Sequence, residues 1–334
     1  MTQRMMTLDE IETLAFDALV AAGTCPEAAR ALAVATAATE ADGVASHGLA
    51  YVPIYAEHVR CGKVDGQAVP EVSTPRPGVV RVDAGHGFAH GAIDAGMGPL
   101  IEAARANGVA VMAIHRSYNC GVLGIHTARI AAEGMLALGF TNAPASIAPG
   151  GGSRPVVGTN PISMAVPDGA GGVEILIDQS ASVIAKSEIM KHSREGKAIP
   201  EGWGLDAEGA PTTDPDVALK GSMAPAGGYK GVGLALIVET LAAAMTGATL
   251  GKDASPFSGR AGGPPATGQM FIAIDPGATS GGVFADRIGD LAAAIRGQDG
   301  ARLPGDGRGA ARARAGDGVA VAEATLERIA ASMA

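Results

Sequence analysis

The chain has 334 residues, 47% of them hydrophobic and 18% charged, with 49 glycines and only 3% aromatics. That length buries a full core in one large or two smaller domains, built from Ala, Val, Leu, Ile and Met. A formal net charge of -9 argues against a nucleic-acid binder, whose affinity rests on basic contacts to phosphate. Three cysteines, Cys25, Cys61 and Cys120, without a spacing motif argue against a disulfide framework or a zinc knot. Met1 to Glu10 lack an apolar signal core, and no stretch nears the roughly 20 apolar residues that span a bilayer, so a cytoplasmic protein is expected.

In chain order, residues 7 to 22 read as a helix, with capping-box spacing at Thr7 and Glu10 and a stop at Gly23. Residues 26 to 41 form a second helix with Pro26 in its first turn. After a polar break at 42 to 48, a third helix covers about 50 to 61. Val79 to Asp83 then reads as a strand, Ile93 to Ala106 as a helix and Val109 to Ile114 as a strand. Ile125 to Glu133 is helical and Leu136 to Thr141 extended. Strands are expected at 162 to 166, 173 to 177 and 269 to 274. This alternation indicates an α/β core. The polar segment 186 to 228 reads as mostly loop. Helix 230 to 246 is apolar all round and is expected to be buried. Residues 251 to 268 are turn-rich, and the tail from about 284 is helical around a flexible run, 297 to 318.

Six segments have residue types that could carry chemistry. Ser46-His47-Gly48 lies between two helices; His titrates near neutrality and can pass a proton in carbonyl reduction, although a loop His is more often structural. Gly85 to Gly91 lacks the dinucleotide-fingerprint spacing and reads as a tight turn. Its His86 and His90 have no evident third ligand, so no metal is expected. Gly150 to Pro161 is either a glycine-rich connector or an anion cradle of exposed backbone N–H groups, with Thr159 and Asn160 adding side-chain donors. Asp178, Gln179 and Ser180 follow an apolar strand, where α/β proteins open a ligand crevice; Lys186 and Glu188 lie just beyond. Gly227 to Gly231 starts a helix with glycines and Lys230, a setting that suits an anion. Arg308, Arg312 and Arg314 form either a solvated loop or an anion-binding arm.

In this order the segments resemble the type-2 malate/L-lactate dehydrogenase family over about 7 to 330. The most specific stretches are Ser46 to Gly48, Gly158 to Pro161, Ile199 to Trp203 through Pro211 to Pro215, and Gly227 to Gly231. The family includes sulfolactate and ureidoglycolate dehydrogenases and Δ1-piperideine/Δ1-pyrroline-2-carboxylate reductases. The resemblance implies a non-Rossmann α/β domain that binds NAD(P)H, here 76–284. A helical domain, 1–75, is joined by the returning tail 285–334, and the chain is expected to be a homodimer. It implies Ser46 and His47 as relay and proton donor and Thr159 as a substrate contact. Cofactor contacts are implied at Asn119, Cys120, Gly121, Val122 and Leu123, at Asp178, Gln179 and Ser180, at Lys186 and Ser187, at Tyr229 and Lys230, and at Gly305 and Arg308. Glu188 falls where imine reductases place a relay aspartate.

Two departures bear on the substrate. Tyr51 stands where the family has a carboxylate-gripping Arg, and Asn119 lies in a motif that favours His. Both side chains hydrogen-bond, but neither offers a bidentate cation. The expected activity is hydride transfer between NAD(P)H, with NADPH slightly favoured, and C2 of a small 2-oxo or 2-hydroxy acid of malate, lactate or sulfolactate type. Cyclic-imine reduction is the alternative chemistry, and a non-catalytic cofactor-binding relative is the alternative class.

Overall fold

The computed structural model describes residues 2–333. An N-terminal layer consists of β1 (Gln3–Met6), α1 (Leu8–Ala21), α2 (Pro26–Ala41) and α3 (Val52–Arg60). The Thr7–Glu10 capping box forms at the start of α1, satisfying two orphan N–H groups reciprocally. The sheet region follows with β2 (Glu71–Arg76), β3 (Val79–Asp83), α4 (Ala89–Asn107), β4 (Val109–Ser117), α5 (Leu123–Ala132), β5 (Leu136–Thr141), β6 (Ile162–Pro167) and β7 (Val173–Gln179). Next come α6 (Lys186–Arg194), β8 (Gly204–Leu205), β9 (Pro211–Thr212), α7 (Pro215–Lys220), β10 (Ser222–Met223) and α8 (Tyr229–Glu239). The chain ends with β11 (Thr267–Ile274), α9 (Pro276–Ser280), α10 (Phe284–Arg296), α11 (Asp306–Ala315), β12 (Val319–Ala322) and α12 (Glu323–Met333).

Seven strands form one sheet in the order β2-β3-β4-β11-β5-β6-β7. Only β3 and β4 are parallel; every other neighbouring pair is antiparallel. The α/β class therefore stands, but on a mixed sheet whose central strand, β11, arrives last. Ile93, Leu100 and Ile101 of α4 and Leu123 and Ile130 of α5 pack with Val80, Val82, Met112, Ile114 and Phe271 of the sheet in the largest core cluster. A second cluster sets Val238 and Ala242 against Phe140 and Met270. Helix α10 lies on β6 and β7 through Ala292, Ile288 and Ile295. The two chain ends meet, because β1 pairs with β12 and Ile329 of α12 joins the core of α1 and α2.

Four expectations change. Segment 186 to 228 is not mostly loop: it holds α6, α7 and the small sheet β10-β8-β9. Ile189, Ile199, Ala218 and Met223 give it its own core, sparse enough to be masked by the polar residues around it. The apolar helix after Gly228 is not buried all round. Leu236, Ile237 and Met245 are 51%, 53% and 64% exposed, because one face covers the sheet and the other has no partner among the described residues; Thr240–Ala244 also widens into a π-helical turn. The run 297 to 318 contains α11. Strands β1, β2 and β12, too short or too polar to signal themselves, were not anticipated. No helix among the described residues is long and apolar enough to cross a membrane.

Candidate active site

Helix α2 ends at Asp42, and Gly43 takes φ +74° to turn the chain. Two single 3₁₀ turns, Ala45–His47 and Leu49–Tyr51, follow before α3 begins. Ser46 Oγ lies 3.0 Å from His47 Nδ1. Beneath this loop, buried Glu40 accepts the Leu49 N–H at 2.7 Å through Oε1. A Cβ on Gly48 would fall on that same oxygen, so the step after His47 needs glycine. Burial pushes the Glu40 carboxyl above its ordinary value, and the Leu49 N–H partly offsets this.

Tyr51 lies parallel to His47, with ring centroids 6.1 Å apart. Its hydroxyl donates to Phe257 O and accepts from Asn119 Nδ2, each at 3.4 Å. Burial pushes the phenol up to about 12. Asn119 is oriented by its own Oδ1, which accepts the Gly121 N–H at 2.6 Å. Gly121 has φ +66° and faces His90 Nε2. Cys120 is buried, its carbonyl 2.9 Å from His126 Nε2. Burial pushes its thiol up to about 12.

On the opposite wall, at the end of β7, Asp178 Oδ2 accepts the Gly124 N–H at 3.0 Å and Arg308 Nη2 at 2.9 Å. Glycine at 124 leaves room for this pair, because a Cβ there would lie 2.7 Å from both Arg308 Nη1 and Asp178 Oδ2 and would push them apart. Arg308 is presented by α11, whose start at Gly305 (φ +102°) is tied to β7 by the Leu176 N–H to Pro304 O bond. Arg308 Nη1 is buried without a partner. Burial lowers the His47 pKa; Asp178 pulls it back up and Arg308 pushes it down. The structure thus brings Ser46, His47, Tyr51, Asn119 to Leu123, Asp178 and Arg308 together.

The remaining expected residues make contacts of their own. Thr159 is half-buried, and its carbonyl accepts the Ala181 N–H at 2.7 Å. Gln179 is exposed, and Ser180 Oγ lies 3.0 Å from Ser182 Oγ. Lys186 and Ser187 open α6, with Ser187 Oγ buried and unpartnered. Glu188 faces Lys191 at 4.0 Å; the charged groups that act on His47 are Asp178 and Arg308. Tyr229 and Lys230 are exposed at the start of α8, after two glycines with positive φ. Arg312 forms an ion pair with Asp42 rather than a solvated loop. The Gly85–Gly87 segment is a tight turn closed by Gly87 N–H to Ala84 O, with His86 at φ +65°.

Sequence reasoning missed two features, Glu40 and the Phe257 carbonyl; Asn160, expected beside Thr159 as a side-chain donor for a ligand, is buried and bonds within its own chain. Asn160, at φ +38°, donates to Ala235 O and Glu239 Oε2 and accepts the Ala143 N–H. Glu40 had a signal, an acid on an otherwise Ala-rich helix seven residues before His47. Phe257 acts through its backbone and had none.

The family described as malate/L-lactate dehydrogenase matches residues 6–330. The chain is similar to a (2R)-3-sulfolactate dehydrogenase (NADP(+)) of Chromohalobacter salexigens, 44% identical over 98% of this chain and 97% of the relative. It is 38% identical to a Δ1-pyrroline-2-carboxylate reductase of Ancylobacter novellus, over 97% and 96% of the two chains. The solved Δ1-piperideine-2-carboxylate reductase of Pseudomonas syringae superposes with a TM-score of 0.92 at 36% identity, covering 98% and 99%. The chain belongs to the malate/L-lactate dehydrogenase family and is an oxidoreductase.

Proposed function

We propose that this enzyme transfers a hydride between NAD(P)H, with NADPH preferred, and C2 of a small 2-oxo acid, giving a 2-hydroxy acid of the malate, lactate or sulfolactate type. The Ser46–His47 pair facing Asp178 and Arg308 carries the reading. The residues present suit a nucleotide. Arg308 Nη1 and Ser187 Oγ are buried donors without partners, and α5, α6 and α8 all begin at the expected contact residues, where helix N–H groups favour anions. Loop 119–123, Asp178 to Ser180, Lys186, Ser187, Tyr229, Lys230, Gly305 and Arg308 would hold it. The similarity to an NADP(+)-dependent relative supports NADPH.

When bound, the reduced nicotinamide supplies the hydride. As the C2 carbonyl is reduced, its electron pair moves to oxygen, and His47 gives that oxygen a proton. Ser46, on Nδ1, keeps Nε2 turned to the reaction. Thr159 and a backbone glycine N–H hold the carboxylate. Tyr51 and Asn119 line the pocket as neutral hydrogen-bonding groups.

That neutral wall favours a second reading, reduction of a cyclic 2-imino acid. An imine nitrogen is itself basic and asks less acid strength of His47, whose pKa is lowered; Glu188 is the relay carboxylate in this version. Oxidation of NADPH is followed with pyruvate, oxaloacetate, sulfopyruvate and Δ1-pyrroline-2-carboxylate. Turnover of the imine alone overturns the hydroxy-acid reading. We also propose a homodimer, supported by the exposed apolar face of Leu236, Ile237 and Met245, and retain the cytoplasm as its expected location.

A further inference from the structure

Helix α11 spans two parts of the site. Arg308 and Arg312 are four residues apart and share one face of the helix. Arg308 reaches Asp178 at the end of β7. Arg312 reaches both carboxylate oxygens of Asp42 through Nε and Nη2. Asp42 has a fully buried side chain and caps α2 five residues before His47. A Cβ on Gly43 would lie 3.5 Å from Ala311 Cβ, so helix and loop touch at backbone range.

The start of α11 is held separately. Leu176 N–H donates to Pro304 O at 2.9 Å, Leu303 N–H to Asp306 Oδ2 at 2.8 Å, and Arg296 Nη2 to Asp306 Oδ1 at 3.2 Å. The helix is therefore a strut, pinned to the sheet at its start and to the His47 loop farther along.

We propose that Asp42 and Arg312 are positioning residues: their ion pair holds α11 against the His47 loop, and so keeps Arg308 at Asp178 and beside His47. The groups facing His47 are Asp178 from β7, Arg308 from α11, and Ser46 and Tyr51 from its own segment. Asp178 favours the imidazolium and Arg308 opposes it. The balance depends on where α11 stands. Asp178 stays in place without the strut, because Gly124 N–H holds it.

The test uses Arg312→Lys and the double variant Asp42→Ala/Arg312→Ala, which leaves no buried charge unpaired. Histidine ring protons are titrated by NMR, with His47→Ala assigning the resonance, and kcat/KM is followed against pH. The His47 titration shifts upward in the double variant, as Arg308 retreats and water reaches the ring, and shifts less in Arg312→Lys, which keeps the cation. A double variant that is folded by circular dichroism and titrates where the parent does overturns the proposal. The rate readout rests on the reading of His47 as proton donor. A moved titration with an unmoved rate profile leaves the strut standing and removes that reading instead.

Discussion

Glu40→Ala tests how the His47 loop is built. The buried Leu49 N–H, which donates to Glu40 Oε1 at 2.7 Å, loses its acceptor; an orphaned buried donor costs about 1–3 kcal/mol. One buried methylene goes with it, about 0.8 kcal/mol. Relief of the buried carboxylate offsets part of this, leaving a net loss of about 1–3 kcal/mol in urea denaturation. Gly48 then has no fixed neighbour, and His47 shifts; a displacement of about 1 Å costs on the order of 100-fold in kcat/KM. Glu40→Gln keeps a carbonyl oxygen for Leu49 and stays within about 1 kcal/mol. The pH dependence has a definite sign. The folded carboxyl is raised above its ordinary 4.5, so the native state binds more protons than the unfolded one in that window. Stability therefore falls as pH rises from 4.5 through the raised value, and Glu40→Gln is free of this fall. Parallel stability–pH curves for parent and Glu40→Gln, or a Glu40→Ala enzyme of parental stability and kcat/KM, would refute the reasoning.

Burial holds the His47 pKa below its ordinary 6.5, so kcat/KM for reduction, which on the proposed role of His47 needs the imidazolium, falls as pH rises through a value below 6.5; a break above 6.5 contradicts the desolvation argument. Gly124→Ala puts a methyl 2.7 Å from Arg308 Nη1 and Asp178 Oδ2, and the pair must part: KM for the nucleotide rises by about tenfold, which corresponds to one charge-assisted hydrogen bond, and an unchanged KM refutes the placement. Cys120, buried and pushed up to about 12, resists iodoacetamide at pH near 8 while the partly exposed Cys25 and Cys61 react; peptide mass spectrometry reads which thiol is alkylated. Leu236→Glu puts a charge on the exposed apolar face of α8 and turns the proposed dimer into monomers on size exclusion; a variant that elutes unchanged removes that face from the proposed interface.

Where the chain announced its structure, periodicity and caps did the announcing. The Thr7–Glu10 box, Pro26 at the first turn of α2, and the apolar strands from Val79 to Ile177 all appear as read. Ser46 and His47 stood out only through the order of the family's segments, because a histidine in a loop is by itself more often structural. The misses have physical causes. Segment 186 to 228 hides a core of a few large side chains among turns. The pattern of α8 is apolar on every side, which does not say whether the second face meets its own chain or another. Segment 297 to 318 looked flexible because glycine and arginine have no pattern there; α11 is held by carboxylates that lie far away in sequence, Asp42 and Asp178. The Tyr51–Phe257 contact joins residues 206 positions apart and passes through a carbonyl that every residue has.

The place of β11 governs how the molecule comes into being. It lies between β4 and β5, antiparallel to both, yet roughly 125 residues separate it from β5. At synthesis rates of about 5–20 residues per second, that interval is on the order of 10 s. Throughout it, β4 and β5 hold unpaired inner edges towards each other, and Gln269, which donates to Tyr118 O and Thr141 Oγ1, has not yet been made. The nascent chain is thus an open-edged sheet, the form most prone to pairing with another chain, until a late strand closes it. Long-range closure of this kind is slower than local pairing, and Tyr118, at the start of the loop that runs on to Leu123, receives its bond from Gln269 only with that closure.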